Sequence, residues 1–413
     1  MADGEKEIMS TEVIATIPHP DIELGFERHN LTYFLTYPEN GVNSDTGLIL
    51  SIPGFADRAD SEYQTNKLRP YLANKYNCLV AGVNYFGIQI KAAEKKSVRY
   101  KTSEFLDWIL YSTYGIDLKS YVHHDSLALH SIADALKQRG IKRLDPACCL
   151  IKEVIGGDYQ SFGFLPAIDH LQVVGEILEK YNINKRKIIA FGSSYGGYIT
   201  LLLGKYAPRT FSVIIDNSGF VKTNSIELLG RELNILRRTQ NNTLRVHNSI
   251  TINGVDFPYI EKSPWTIIDE NSPFYFSDSH RYIRSLLQEF HIERTSTRYY
   301  IFHSEQDDIV PVEHKDKFVK ILQDKSIELY YKRVNESDID GRVFKTIEHA
   351  MKASLRGIFD MVADLDSKEL SKDDDLTDFD LNSIYAFDCA DKSYVFSFNN
   401  DFTLKVELVG KKV

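Results

Sequence analysis

Gly192, Ser194 and Gly196 fit G-x-S-x-G in the stretch "IIAFGSSYGGYITLLLG", residues 188–204. A serine on a sharp strand-to-helix turn presents its hydroxyl outward, and the residues two before and two after it approach so closely that only small side chains fit. Ser193 in the central place would need glycines where Phe191 and Tyr195 stand, so Ser194 alone fits. The apolar run "KIIAF" before it and the helical pattern after it supply the context the turn requires. The chemistry such a serine can do is nucleophilic attack on a carbonyl, once a base takes its proton.

A serine hydroxyl needs a histidine as base and an acid to hold that histidine in the right tautomer. For a serine on this kind of turn the chain order is serine, acid, histidine. The acid is expected in "YYIFHSEQDDIVPVEH", just after an apolar strand pattern. Asp307 is preferred because H-x-x-x-D-x-x-V-P resembles a common hydrolase spacing; Asp308 is the alternative, and Asp216, after the preceding strand, a distant third. His349 is the only histidine beyond the strand pattern "IELYYKRV" and is expected where a loop gives way to a helix. For the oxyanion the expected donors are the N–H of Tyr195, next after the nucleophile, and the N–H of Phe55 in "LILSIPGFAD", with Gly54 allowing close approach.

The elements that must position these residues alternate. Strand patterns "GLILSIPGF", "CLVAGVNYFG", "KIIAFGS", "FSVIIDNSG", "RYYIFHS" and "IELYYKRV" are separated by helical ones such as "AIDHLQVVGEILEKYN" and "EHKDKFVKILQDK". This predicts an α/β fold with a mostly parallel central sheet covered by helices on both faces. Residues about 97–160 read as a helical insertion. Residues about 221–275, polar and aromatic without clear periodicity, are too long for an ordinary connection and read as a lid. We place the main domain at 1–370 and, at 371–413, an acidic solvated linker ("SKELSKDDDLTDFDL") with short C-terminal strands whose edges could pair with a second copy.

Arg231, Arg237, Arg238 and Arg245 bring positive charge into the lid of an acidic chain; they read first as a solvated helix face, and for a substrate with a carboxylate or phosphate they are the candidates to bind it. Trp265, Tyr259, Phe274, Tyr275 and Phe276 are of types more often found in a core than on a substrate, and some could stack on a sugar face.

The 413-residue chain has a formal charge of −9, which disfavours nucleic acid as the main partner. Its four cysteines include the adjacent Cys148 and Cys149 and show no C-x-x-C, so reduced thiols and a cytoplasmic setting are expected. The acidic, proline-broken start has no signal-peptide pattern, and no run reaches membrane-span length. With no H-E-x-x-H, P-loop or dinucleotide fingerprint, neither metal nor cofactor is expected.

Over about residues 25–365 these features resemble the α/β-hydrolase superfamily. Tyr159, Gln160, Phe162 and Gly163, with "SPW" and "SPFYFS", resemble a bacterial family associated with flagellin-glycosylation genes and distantly similar to glycan O-acetyltransferases of accessory secretion systems. The resemblance implies acyl chemistry on a sugar. The expected activity is therefore a serine-dependent acyl ester hydrolase or O-acyltransferase on a small-molecule or glycan ester. "HAMKAS" also has a likeness to prolyl-oligopeptidase-type serine peptidases, although no repeat of propeller-blade length is present. The non-enzyme alternative is a degenerate hydrolase retained for binding or assembly.

Overall fold

The computed structural model describes residues 11–55, 57–88, 98–102, 104–117, 126–144, 149–154, 158–224, 228, 249–261, 263–267 and 269–410. Two compact units emerge: residues 1–88, 161–223 and 277–413 form one, and residues 89–160 and 224–276 the other.

In the larger unit eight strands form one sheet: β1 Thr11–Thr16, β2 Leu31–Thr36, β3 Gly47–Ile52, β4 Cys78–Asn84, β5 Ile188–Ser193, β6 Val213–Asn217, β7 Arg298–Ser304 and β8 Leu329–Val334. Their order is β1-β2-β4-β3-β5-β6-β7-β8. Only β1 with β2 and β2 with β4 pair antiparallel; the remaining ladders are parallel. Every residue of β3, β6 and β7 is buried, as strands covered on both faces require. β1 was not anticipated; "TEVIAT" is an edge strand with no fully buried residue.

Alternating residues point to opposite faces of the sheet. Ile49, Val80, Ile189, Phe191, Ile215 and Phe302 meet Leu72 and Ala73 of α1 (Arg69–Tyr76) and Ile358, Phe359 and Val362 of α6 (Leu355–Leu365). The other face receives α2 (Phe164–Lys180), α3 (Tyr195–Tyr206) and α5 (Val312–Asp324). A short helix, α4 (Asp278–Arg284), carries Arg284, whose guanidinium is buried against Glu23. Register sets the C-terminal ends of the strands side by side: Ile52 opposite Gly192, Ser193 opposite Asn217, Asn217 opposite Phe302. The loops leaving these ends converge, which is where open parallel sheets place their sites.

The C-terminal strands β9 (Ile384–Asp388), β10 (Lys392–Phe398) and β11 (Leu404–Gly410) pair with one another in an antiparallel sheet. That sheet packs on α2 and α3: Phe164 meets Tyr394 at 5.1 Å and Tyr206 stacks on Phe396 at 4.7 Å between ring centroids. The compact unit thus runs through the boundary expected at 370. The acidic run is also not a wholly solvated linker. Thr377 and Asp378 are buried, Asp378 accepting from the Thr210 hydroxyl at 2.8 Å, and the buried Lys372 ammonium donates to the carbonyls of Arg209 and Leu376.

The smaller unit has its own four-stranded sheet, with strands Val98–Lys101, Leu150–Val154, Val255–Glu261 and Ser249–Ile252 adjacent in that order. Leu106 and Leu110 of helix Glu104–Tyr114 and Leu129, Ile132 and Leu136 of helix Ser126–Gln138 pack against Leu150, Val255 and Phe257. The stretches expected as a separate insertion and lid therefore contribute strands to one sheet. Asn253 (φ 49°) and Gly254 (φ 84°) form its tight hairpin turn, a conformation that Asn-Gly favours. Among the described residues no helix is long and apolar enough to cross a membrane.

Candidate active site

β5 ends at Ser193 and α3 begins at Tyr195, leaving Ser194 as the pivot at φ 56°, ψ −121°. That conformation is costly for a side chain with a Cβ and persists only where the surroundings fix it. They do so here: the Ser194 N–H donates to the Asn217 carbonyl at 2.7 Å, and the Ser194 carbonyl accepts from Tyr198 N–H at 3.0 Å. The two motif glycines have a steric reason. A Cβ on Gly192 would lie 2.3 Å from the Gly196 carbonyl carbon, and one on Gly196 would lie 2.2 Å from the Ile52 carbonyl oxygen.

Ser194 Oγ stands 2.8 Å from His349 Nε2. The other ring nitrogen, His349 Nδ1, lies 2.9 and 2.8 Å from the two carboxylate oxygens of Asp307. Asp307 sits in the loop after β7, where its Oδ1 also accepts from the amides of Ile309 and Val310 at 3.0 and 2.8 Å. Burial pushes its pKa up, but the His349 hydrogen bond and charge, the Val310 amide and His303 outweigh this and hold the carboxyl below its usual range. Asp308 is exposed, and Asp216 is engaged elsewhere, in a buried ion pair 2.5 Å from Lys315 Nζ.

His349 opens a single turn, His349–Lys352, where a continuing helix was expected. Ala350, Met351 and Lys352 are all left-handed, with φ of 58°, 55° and 42°. The turn inserts Met351 into the core, and the Met351 carbonyl accepts from the amides of Lys345 and Thr346 at 3.0 and 3.2 Å. Burial of Met351 with these hydrogen bonds overrides the helical pattern. The helix proper starts only after Ser354, whose side chain caps it through Gly357 N–H.

Tyr195 opens α3, where the helix dipole favours negative charge. The Phe55 ring stacks on the Tyr195 ring, centroids 3.9 Å apart and planes 13° off parallel. Pro53 is held by Tyr85, whose hydroxyl donates to the Pro53 carbonyl at 2.9 Å. A Cβ on Gly54 would come 2.9 Å from the Ser193 carbonyl oxygen, so the expected oxyanion loop does lie against the serine turn.

A cleft of about 520 Å³ opens at Ser194. Gly54, Asp57, Tyr63 and Lys67 form part of its wall, and Lys345, Lys352 and Arg356 from the histidine loop another part. Of the other residues singled out in the sequence, Trp265 is buried within the smaller unit, its Nε1–H donating to the Gln160 carbonyl at 3.2 Å and its ring edge-on to Tyr159 and Phe276. It is packed as core and does not line the cleft. Arg231, Arg237, Arg238 and Arg245 lie outside the described residues.

Sequence reasoning missed Asn217. It is fully buried at the end of β6; its side-chain Nδ2 donates to Ser193 Oγ at 2.8 Å and to the Ala350 carbonyl at 3.4 Å. It also missed the cations of the cleft, although "FKTIEHAMKASLR" carries three of them around His349.

A family model described as "Protein of unknown function (DUF2920)" matches residues 12–408. No curated protein matches the sequence. Among solved structures, the acylaminoacyl peptidase of Pyrococcus horikoshii is similar at 12% identity and a TM-score of 0.42, over 90% of this chain and 43% of that one. Dipeptidyl peptidase 4 of Porphyromonas gingivalis is similar at 12% and 0.42, over 86% of this chain and 36% of that one. Est1E of Butyrivibrio proteoclasticus, with ferulic acid bound, is similar at 13% and 0.40, over 83% and 96%. This chain thus spans less than half the length of the two peptidases.

Proposed function

Since the chain belongs to the DUF2920 family, whose description names no activity, we propose one from its own site: a serine-dependent acyl ester hydrolase or O-acyltransferase. The observation that carries this is the hydrogen-bonded series Ser194 Oγ to His349 Nε2 at 2.8 Å and His349 Nδ1 to Asp307 at 2.8 Å. Ser194 Oγ attacks the ester carbonyl carbon while His349 Nε2 accepts its proton. Asp307 keeps the Nδ1–H tautomer and offsets the charge of the imidazolium. The Tyr195 and Phe55 amides receive the carbonyl oxygen as it becomes an oxyanion. The C–O bond of the leaving alcohol then breaks, the alcohol takes the proton from His349, and the acyl group remains on Ser194. Water completes hydrolysis; a sugar hydroxyl completes transfer. Both use the same residues.

The acceptor we propose for the transfer branch is a bacterial surface sugar, such as a flagellin glycan, on the strength of the Tyr159, Gln160, Phe162 and Gly163 resemblance. The test is direct. The full-length protein should hydrolyse short 4-nitrophenyl esters and be labelled by a fluorophosphonate at Ser194, and Ser194→Ala should lose both. Labelling that persists in Ser194→Ala, or full esterase activity in it, would remove the assignment. A protein that neither turns over nor labels would favour a binding or assembly role.

A further inference from the structure

We infer that the cleft beside Ser194 selects esters carrying a negative charge, a carboxylate or phosphate on the part of the substrate that occupies it. This rests on Ser194 being the nucleophile and names the class of molecule it acts on. The cleft holds about 520 Å³, the range of a small-molecule site. Its lining includes four cations, Lys67, Lys345, Lys352 and Arg356, against one carboxylate, Asp57. The chain as a whole carries a formal charge of −9, so the cleft runs opposite to the protein that contains it.

Local pairing does not cancel the imbalance. Lys352 lies 3.3 Å from Glu348, both of them exposed. Asp57 is occupied by its own surroundings, accepting from the Arg58 amide at 2.9 Å and from Gln64 Nε2 at 3.4 Å. Counting both acids still leaves an excess of two positive charges. Among the described residues, Lys67, Lys345 and Arg356 form no ion pair with any carboxylate. A wall with a net excess of one sign focuses potential into the cleft and raises the local concentration of the opposite charge.

Arg356 is the anchor of this wall. Its guanidinium lies 4.7 Å over the Tyr71 ring and donates to the Lys67 carbonyl. A guanidinium already held in place loses little freedom when an anion docks. The left-handed turn Ala350–Lys352 matters here too. Lys352 closes this turn, Arg356 follows it, and both line the same cavity as Ser194.

The test compares 4-nitrophenyl hydrogen adipate with 4-nitrophenyl hexanoate, esters of equal chain length that differ by a terminal carboxylate. Wild-type protein should favour the adipate ester by about tenfold in kcat/KM, chiefly through KM, and the preference should shrink as salt rises. The preference should disappear in Arg356→Gln combined with Lys67→Gln and Lys345→Gln. Equal or reversed preference in the wild type would overturn the proposal, as would its survival in the triple variant. Calorimetric binding of adipate to the Ser194→Ala protein reads the cleft without chemistry. Absence of adipate binding there overturns the anion assignment whether or not the wild type turns over esters. Adipate binding in a protein that never acylates would remove the enzymatic reading while supporting the anionic ligand.

Discussion

The Asn217 carbonyl accepts the Ser194 N–H at 2.7 Å, so the last residue of β6 holds the backbone of the residue placed to react. The Asn217 side chain reaches the other half of the site, donating to Ser193 Oγ at 2.8 Å and toward the Ala350 carbonyl, next to His349, at 3.4 Å. One buried residue thus ties the serine turn to the histidine turn. Among the described residues its Oδ1 is buried without a hydrogen-bond partner, so what the side chain contributes is what its nitrogen donates.

Asn217→Ala keeps the backbone hydrogen bond and removes only the side-chain ones. Stability should fall by about 0.5–1.5 kcal/mol, the net worth of an ordinary hydrogen bond, since both acceptors are only part-buried. Because small displacements at a reacting group are expensive, kcat on a 4-nitrophenyl ester should fall by about tenfold or more with KM little changed. A variant with lowered stability and wild-type kcat would assign Asn217 to packing alone.

Asp307 and Asp308 are neighbours in sequence and separate sharply in their surroundings. Asp307 faces His349 through both oxygens, whereas Asp308 is exposed. In Asp307→Asn the amide no longer enforces the Nδ1–H tautomer, and kcat should drop by roughly 10³–10⁴. Asp308→Asn should remain within about twofold of wild type, since an exposed side chain outside the hydrogen-bonded series has little to act on. Steady-state kinetics on both variants decides the matter, and comparable losses in the two would contradict the geometry.

What the sequence made legible was whatever depends on local pattern. The buried strands read as continuous apolar runs, and G-x-S-x-G between strand and helix reads as a turn because two glycines have a steric cause. His349 was expected from chain order once Ser194 was chosen, and Asp307 was preferred over Asp308 on the spacing H-x-x-x-D-x-x-V-P. Asn217 carried no such mark: its role comes from pairing β6 beside β5, a contact 24 residues distant between its Nδ2 and Ser193 Oγ. The turn after His349 was misread because "HAMKAS" has helical composition, while its conformation is set by Met351 entering the core. The Asn253–Gly254 hairpin was readable and passed over inside a stretch judged by its lack of helical period. Trp265 was legible by type as either core or sugar contact, and its buried, edge-on packing against Phe276 makes it core.

Gly196→Ala tests the serine turn from its steric side. The new methyl would lie 2.2 Å from the Ile52 carbonyl oxygen and 2.9 Å from that of Pro53, both backbone atoms that cannot simply rotate away. Either the turn or the Phe55 loop must move, and overpacking of this kind costs about 1–3 kcal/mol or more. We expect a lowered Tm together with at least a hundredfold loss of kcat/KM. Gly341→Ala provides the contrast: its φ of 69° is strained for alanine but its surroundings are open, so stability should fall slightly and activity should persist. A folded Gly196→Ala protein with wild-type kcat/KM would show that the close approach at the turn is dispensable.

Acid stability follows from histidines buried as neutral rings. Burial pushes His170 down to about 4, the Pro166 carbonyl only partly opposing it. Burial, with the charge of Lys315, likewise pushes His303 down to about 4 against the opposing pull of Asp307. In the unfolded chain both titrate near pH 6.5. Between pH 6.5 and about 4 the unfolded state therefore binds more protons than the folded one, and stability must rise with pH across that window. It is complete above 6.5 and declines on acidification, by up to about 1.4 kcal/mol per pH unit for each ring. The lowered carboxyl of Asp307 acts in the same direction, though only below the ordinary aspartate range, so the two contributions fall at different pH. Denaturant unfolding between pH 5 and 7.5 should show this slope, and His170→Gln, which cannot titrate there, should make it shallower. A slope unchanged in His170→Gln would mean that His170 is not held neutral by burial.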